Sequence, residues 1–113
     1  MKCERLDVWK RACRLSVDVY RHVDRISNLG FKEQISRSCL SVASNIAEGV
    51  EKESPKEKLR YLEIARGSLA EFVTQSYIGI EAGFVEKSGG LCWVKEADEL
   101  SRMIIGLKRN YAP

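Results

Sequence analysis

A single histidine, His22, and four cysteines are the side chains best suited to nucleophilic or metal chemistry in this chain. A serine or cysteine triad needs its histidine beside a nucleophile and a third orienting group, and only His22 is available for that role. It reads instead as a partly exposed helix residue near Asp18, with the charge-switch chemistry of imidazole open to it. Cys3, Cys13, Cys39 and Cys92 are scattered, with no C-x-x-C pair of zinc or redox spacing. Cys13 and Cys39 fall on apolar helical stripes, where free cysteine behaves as a small hydrophobe. No Glu-x-x-His pair is present to build a carboxylate-bridged di-iron site. No glycine-rich phosphate loop follows a strand. The expectation is a chain with no catalytic residue, no metal ligand and no cofactor.

Two kinds of polar line remain. Ser38, Ser41, Asn45 and Glu48 recur at spacings of three and four beside an apolar stripe, and Ser68, Glu71 and Gln75 form a comparable line. Buried polar groups usually satisfy one another, so these lines predict interhelical pairing or an assembly surface. The alternative is a small ligand or hydrolytic site built from Asn45, Glu48 and Glu71, since carboxylates of shifted pKa do such work. The basic lines are sharper. Lys10, Arg14, Arg21 and Arg25 fall within about 60° of one another at 100° per residue, opposite the apolar arc of their helix. Lys95, Arg102 and Arg109 repeat every seven residues. Each such cation can release a counterion from a nucleic-acid phosphate. Against this stands a solvated face with internal pairs, for which Asp7–Arg11, Arg14–Asp18, Lys95–Glu99 and Asp98–Arg102 are suitably spaced.

The elements that hold these lines follow from composition and period. The 113 residues are 44% hydrophobic, 31% charged and 8% aromatic, which suits one domain with a real core and excludes disorder and disulfide-scaffold classes. The net charge of +3 comes from the first thirty residues, with seven basic and four acidic side chains. No long uncharged apolar run suggests a membrane span or a signal peptide, and the reduced cysteines point to the cytoplasm.

The pattern predicts an all-α, up-down-up-down antiparallel four-helix bundle spanning residues 1–113, with helices over about 4–26, 32–48, 55–82 and 91–110. Leu6, Trp9, Cys13, Tyr20 and Val23 mark the inner stripe of the first, with Leu15, Val19 and Ile26 widening it. Asn28 and Gly30 are expected to break that helix, and Gly49 to end the second. Ile35, Cys39, Val42, Ala43, Ile46 and Ala47 face the core from the second helix. Ser54, Pro55 and Glu57 read as a capping box that opens the third, whose inward side chains are Leu62, Ala65, Leu69, Phe72 and Ile80. Gly83-Phe84 closes it. Gly67 and Gly79 within it suggest close approach of a neighbouring backbone. A Ser88-Gly89-Gly90 loop leads to the fourth helix, with Trp93, Ala97, Leu100, Ile104, Leu107 and Tyr111 inward.

Ser44-Asn45-Ile46-Ala47-Glu48-Gly49 and Ile64-Ala65-Arg66-Gly67-Ser68-Leu69-Ala70-Glu71, with Thr74-Gln75 beyond, resemble the signature of the four-helix-bundle proteins encoded in 23S rRNA intervening sequences. The accessory variability protein of diversity-generating retroelements is a relative of that family. Leu6, Val8, Trp9 and Ala12 resemble its N-terminal pattern, whereas Lys58, Val73 and Ser76 depart from it. The resemblance covers nearly the whole chain. It implies a homopentameric ring, a basic surface suited to RNA or DNA and, in the retroelement branch, a reverse-transcriptase partner. It also implies a structural or interface role for Asn45, Glu48, Gly49, Gly67, Ser68 and Glu71.

The functional expectation is therefore a non-enzymatic homo-oligomer that binds nucleic acid with little sequence specificity and no membrane. The alternative is a scaffold or protein-binding ring that makes no nucleic-acid contact.

Overall fold

Two of the four long helices begin at a polar side chain that accepts from a free first-turn N–H group, Asn28 and Ser54. A computed structural model describes residues 1–112, and Pro113 lies outside the described residues. After a 3-10 turn over Lys2–Arg5 come α1 (Asp7–Val23), α2 (Leu29–Glu51), α3 (Pro55–Glu81) and α4 (Lys87–Arg109), with no strand among the described residues. Consecutive helices pack side by side, and α1 meets α4 to close a four-helix bundle of 45 × 21 × 20 Å.

The N-terminal boundary moves inward from the predicted position. Leu6 is extended (φ −91°, ψ 123°) and separates the 3-10 turn from α1. The turn folds against α2, where the Lys2 amide donates to Glu51 Oε1 at 2.8 Å and Cys3 is buried. The inner face of α1 is also turned from the predicted stripe. Val8, Ala12, Leu15, Val19 and Val23 form the core line. Trp9 and Cys13 are half-buried and Tyr20 is 47% exposed. By helical angle the shift is about 90°. Apolar residues cover so much of this helix that periodicity alone does not locate their centre, and the small Ala12 and Ser16 let α1 approach its neighbours along the observed line.

Asn28 starts α2 instead of breaking α1, its side chain accepting from the Phe31 amide at 3.0 Å. Gly30 lies inside the first turn that follows. Gly49 is likewise within α2, which continues to Glu51. A Cβ on Gly49 would sit 3.0 Å from Tyr61 Cβ and 3.3 Å from the Lys58 carbonyl oxygen. The absent side chain lets the end of α2 touch the start of α3, a packing role that sequence reads equally well as a stop signal.

For α3 the start is as predicted, with Pro55 at N1 and Ser54 Oγ accepting from the Glu57 amide at 3.3 Å. Only that half of the box forms, because Glu57 turns its carboxylate to Arg60 at 3.5 Å. Gly83 ends the helix at φ +82°, and the Phe84 amide donates to the Gly79 carbonyl at 2.8 Å. Phe84 then packs on Phe31, ring centroids 5.1 Å apart. The remaining glycine expectations are corrected. Gly67 has nothing within 4 Å of a Cβ position, and Gly79 is crowded by side chains, Phe31 at 2.5 Å and Val85 at 2.8 Å, not by backbone. Ser88, Gly89 and Gly90 belong to the first turn of α4. Gly90 is buried, and a Cβ there would meet Ile80 at 2.6 Å.

The core runs the length of the bundle. Phe72, Ile35, Ile46, Leu62, Leu100 and Ile104 are its largest fully buried side chains, and Leu69 and Trp93 join them. Close packing of such residues supplies most of the stabilisation that amphipathic helices gain on folding.

Candidate nucleic-acid interface

All seven cations of the two basic lines are exposed: Lys10, Arg14, Arg21 and Arg25 along α1 and the turn after it, and Lys95, Arg102 and Arg109 along α4. Lys10 and Arg25 are fifteen positions apart, about 22 Å along the axis. Of the four internal pairs that spacing allows, only Asp98–Arg102 forms, at 2.7 Å. Arg11 passes over Asp7 to bridge α1 and α4, bonding Glu96 and, at 2.6 Å, Glu99. Those hydrogen bonds, to Glu96 first and then Glu99, raise the already high Arg11 pKa and hold the Glu99 carboxyl below the usual carboxylate range. Asp18 is taken by Trp93, whose Nε1 donates to Oδ2 at 2.8 Å. Glu99 and Asp18 being so engaged, Lys95 and Arg14 have no ion-pair partner among the described residues, and neither do Lys10, Arg21, Arg25 and Arg109.

Arg11–Glu96 and Asp18–Trp93 also fix the antiparallel register of α1 and α4. Neither contact was visible in the sequence, because its partners are 85 and 75 residues apart. The helical i,i+4 spacing offered nearer partners for the same side chains.

The polar lines of α2 and α3 meet each other. Ser38 Oγ donates to Gln75 Oε1 at 2.6 Å, and the Ser41 and Ser68 hydroxyls lie 2.8 Å apart. Asn45 Nδ2 donates back to the Ser41 carbonyl at 2.8 Å and to its hydroxyl at 2.9 Å. No buried side-chain nitrogen or oxygen among the described residues lacks a partner. Glu48 and Glu71 are exposed on separate helices. Asn45 and Glu48 line a shallow cleft with Ser44 and Glu51, but Glu71 is not in its wall. The three residues of the hydrolytic alternative are therefore not brought together.

Two other features flank the basic lines. Between α3 and α4 an apolar groove of about 590 Å³ is lined by Leu69, Val73, Tyr77, Leu91 and Val94, with Arg66 and Lys95 at its edge. At the far end of α1 a smaller cleft of about 480 Å³ holds Asp18, Arg21, His22 and Arg25 against the α3–α4 turn. His22 packs edge-on against Trp93, ring centroids 5.1 Å apart. No group of three or more histidine, cysteine or acidic side chains that could hold a metal ion occurs among the described residues. No described helix is long and apolar enough to cross a membrane.

Comparison with known proteins agrees with this architecture. The family model described as 23S rRNA-intervening sequence protein matches residues 4–106. A solved structure described as a protein of unknown function from the S23 ribosomal protein family of Bacteroides thetaiotaomicron superposes with a TM-score of 0.83 at 19% identity. The alignment covers 89% of this chain and 97% of that one, and at this identity it shows the shared fold. No curated protein matches. This chain belongs to the 23S rRNA-intervening sequence protein family.

Proposed function

We propose that this member of the 23S rRNA-intervening sequence protein family is a non-catalytic, cytoplasmic, self-associating bundle that binds RNA or DNA through its basic side. The observation that carries this reading is the row of exposed cations on α1 that the fold leaves without acidic partners, although Asp18 stands one turn from Arg14 and Arg21. Phosphate contacts carry no sequence information, so sequence preference from phosphate contact along these lines alone is weak.

Self-association is supported by two different apolar faces. Val17, Tyr20, Leu29 and Leu40 are 46–67% exposed on the α1–α2 side. The α3–α4 groove, with Tyr77 and Leu91, lies on the opposite side of the bundle. Two unlike patches suit head-to-tail contact, the geometry that closes into rings. The homopentamer implied by the family resemblance is one such ring, and it would bring copies of the basic lines together into a larger positive field. The same groove favours a second reading, in which a helix of a partner protein such as a reverse transcriptase docks there.

Fluorescence anisotropy of structured RNA and duplex DNA across about 50–200 mM salt separates the two. Four to seven phosphate contacts per subunit give a log–log slope of about −4 to −6. A flat salt dependence, or no binding at about 50 mM, removes the nucleic-acid reading and leaves the partner-docking one.

A further inference from the structure

The cleft at the end of α1 contains opposite charges that do not neutralise one another. Arg21 and Arg25 come from α1 and the turn after it, Asp18 from α1 and Glu86 from the turn before α4. None of the four forms an ion pair among the described residues. Instead each carboxylate is held through one oxygen by a neutral donor. Buried Trp93 donates its Nε1 hydrogen to Asp18 Oδ2 at 2.8 Å, and the Ser88 hydroxyl donates to Glu86 Oε1 at 2.7 Å. The second oxygen of each carboxylate and both guanidinium groups keep their hydrogen-bonding capacity. Ile26 and Phe84 supply an apolar surface in the same cleft.

A simple phosphate does not explain this set, because two carboxylates would oppose it. The geometry points to an unpaired guanine base, presented by single-stranded nucleic acid bound along the α1 line, as the occupant of this cleft. This inference rests on the nucleic-acid reading above. Guanine combines adjacent N–H donors at N1 and N2, which a carboxylate accepts, with acceptors at O6 and N7, which an arginine fork satisfies. A splayed base places its flat apolar face against aromatic and aliphatic side chains, as single-stranded RNA recognition commonly does. Adenine lacks the N1 hydrogen, and uracil lacks an amino group. The cleft would thus give base preference to a surface whose other contacts are all to phosphates.

The probe is a labelled adenine-rich single strand in three versions: no substitution, one central guanine, and one central cytosine. Glu86→Gln is the informative variant, because the Glu86 side chain caps no α4 amide and glutamine keeps an oxygen to accept from the Ser88 hydroxyl. The expected result is about tenfold tighter binding of the guanine strand. Glu86→Gln should abolish that preference while leaving the unsubstituted strand bound as before. Arg102→Gln should weaken all three strands alike. Equal binding of the three strands by the unaltered protein, or a preference for cytosine, overturns the guanine cleft and leaves phosphate binding standing. Absence of binding to every strand at about 50 mM salt overturns both.

Discussion

Trp93→Phe tests the contact that ties the end of α1 to α4 and shapes the cleft. Trp93 is 3% exposed, and its ring lies 5.9 Å from Phe72 and 5.1 Å from His22. Phenylalanine keeps the core ring but removes the second ring and the N–H. The lost volume costs about 1–2 kcal/mol. The lost hydrogen bond to a charged acceptor is worth about 1.5–3 kcal/mol in general. Asp18 is exposed, so water can take the place of the indole N–H, and about 1 kcal/mol is the appropriate share here. The sum is about 2–3 kcal/mol, or roughly 8–12 °C in melting temperature for a domain of this size. Thermal melts followed by circular dichroism at one protein concentration measure it, the fixed concentration removing mass-action shifts from self-association. Asp18→Asn keeps an acceptor oxygen and should shift the melt by a few degrees at most. A Trp93→Phe protein that melts within about 2 °C of the parent would show that the indole N–H and outer ring hold nothing together.

Other consequences are quick to check. Gly67→Ala should stabilise by about 0.5–1 kcal/mol, since the site is exposed and nothing lies within 4 Å of the new methyl. Gly90→Ala should destabilise by about 1–3 kcal/mol against Ile80, and urea midpoints moving the same way for both variants would contradict the packing described. With a disulfide reagent at about pH 8, exposed Cys92 should react first and half-buried Cys13, its thiol pushed up by burial, slowly. Buried Cys39, its thiol pushed up to about 11 by burial, and buried Cys3 should react only on unfolding; more than two thiols reacting in the folded protein would refute that order. Lys108 first, then Arg66, hold the Glu63 carboxyl below the carboxylate range, as Arg11 holds Glu99. A depressed folded pKa adds stability above the unfolded value that is lost on acidification, so melting temperature should fall between about pH 5 and 3. Glu63→Gln with Glu99→Gln should flatten part of that fall, and an unchanged profile would discount both pairs.

Local signals were legible wherever one residue type has one structural use. Ser54-Pro55-Glu57 marks the start of α3, and the positive φ at Gly83 marks its end. The inner lines of α2, α3 and α4 follow from spacing, and every side chain expected to face inward on them is buried or half-buried. On α1 the stripe is too broad for period to find its centre, and Trp9 and Tyr20 lie at its margin instead of its middle. Gly30, Gly49 and the Ser88-Gly89-Gly90 run resemble breakers, yet they serve helix starts or close packing that only the neighbouring helix reveals. The basic lines were legible as positions. Their freedom from ion pairing was not, because it depends on Glu99 turning to Arg11 and Asp18 accepting from Trp93 across the bundle. The Asp18–Arg21–Arg25–Glu86 cleft was hidden for the same reason, one carboxylate coming from a turn far along the chain.

The most direct measurement compares duplex DNA and structured RNA binding by two variants of equal net charge. One carries glutamine at Lys10, Arg14, Arg21 and Arg25, and the other at the exposed Arg5, Arg37, Lys56 and Arg60 away from the α1 line. Affinity near physiological salt should fall by two or more orders of magnitude in the first variant and stay within a few-fold of the parent in the second. Equal weakening of both would mean that overall charge, and not the unpaired row on α1, attracts the nucleic acid.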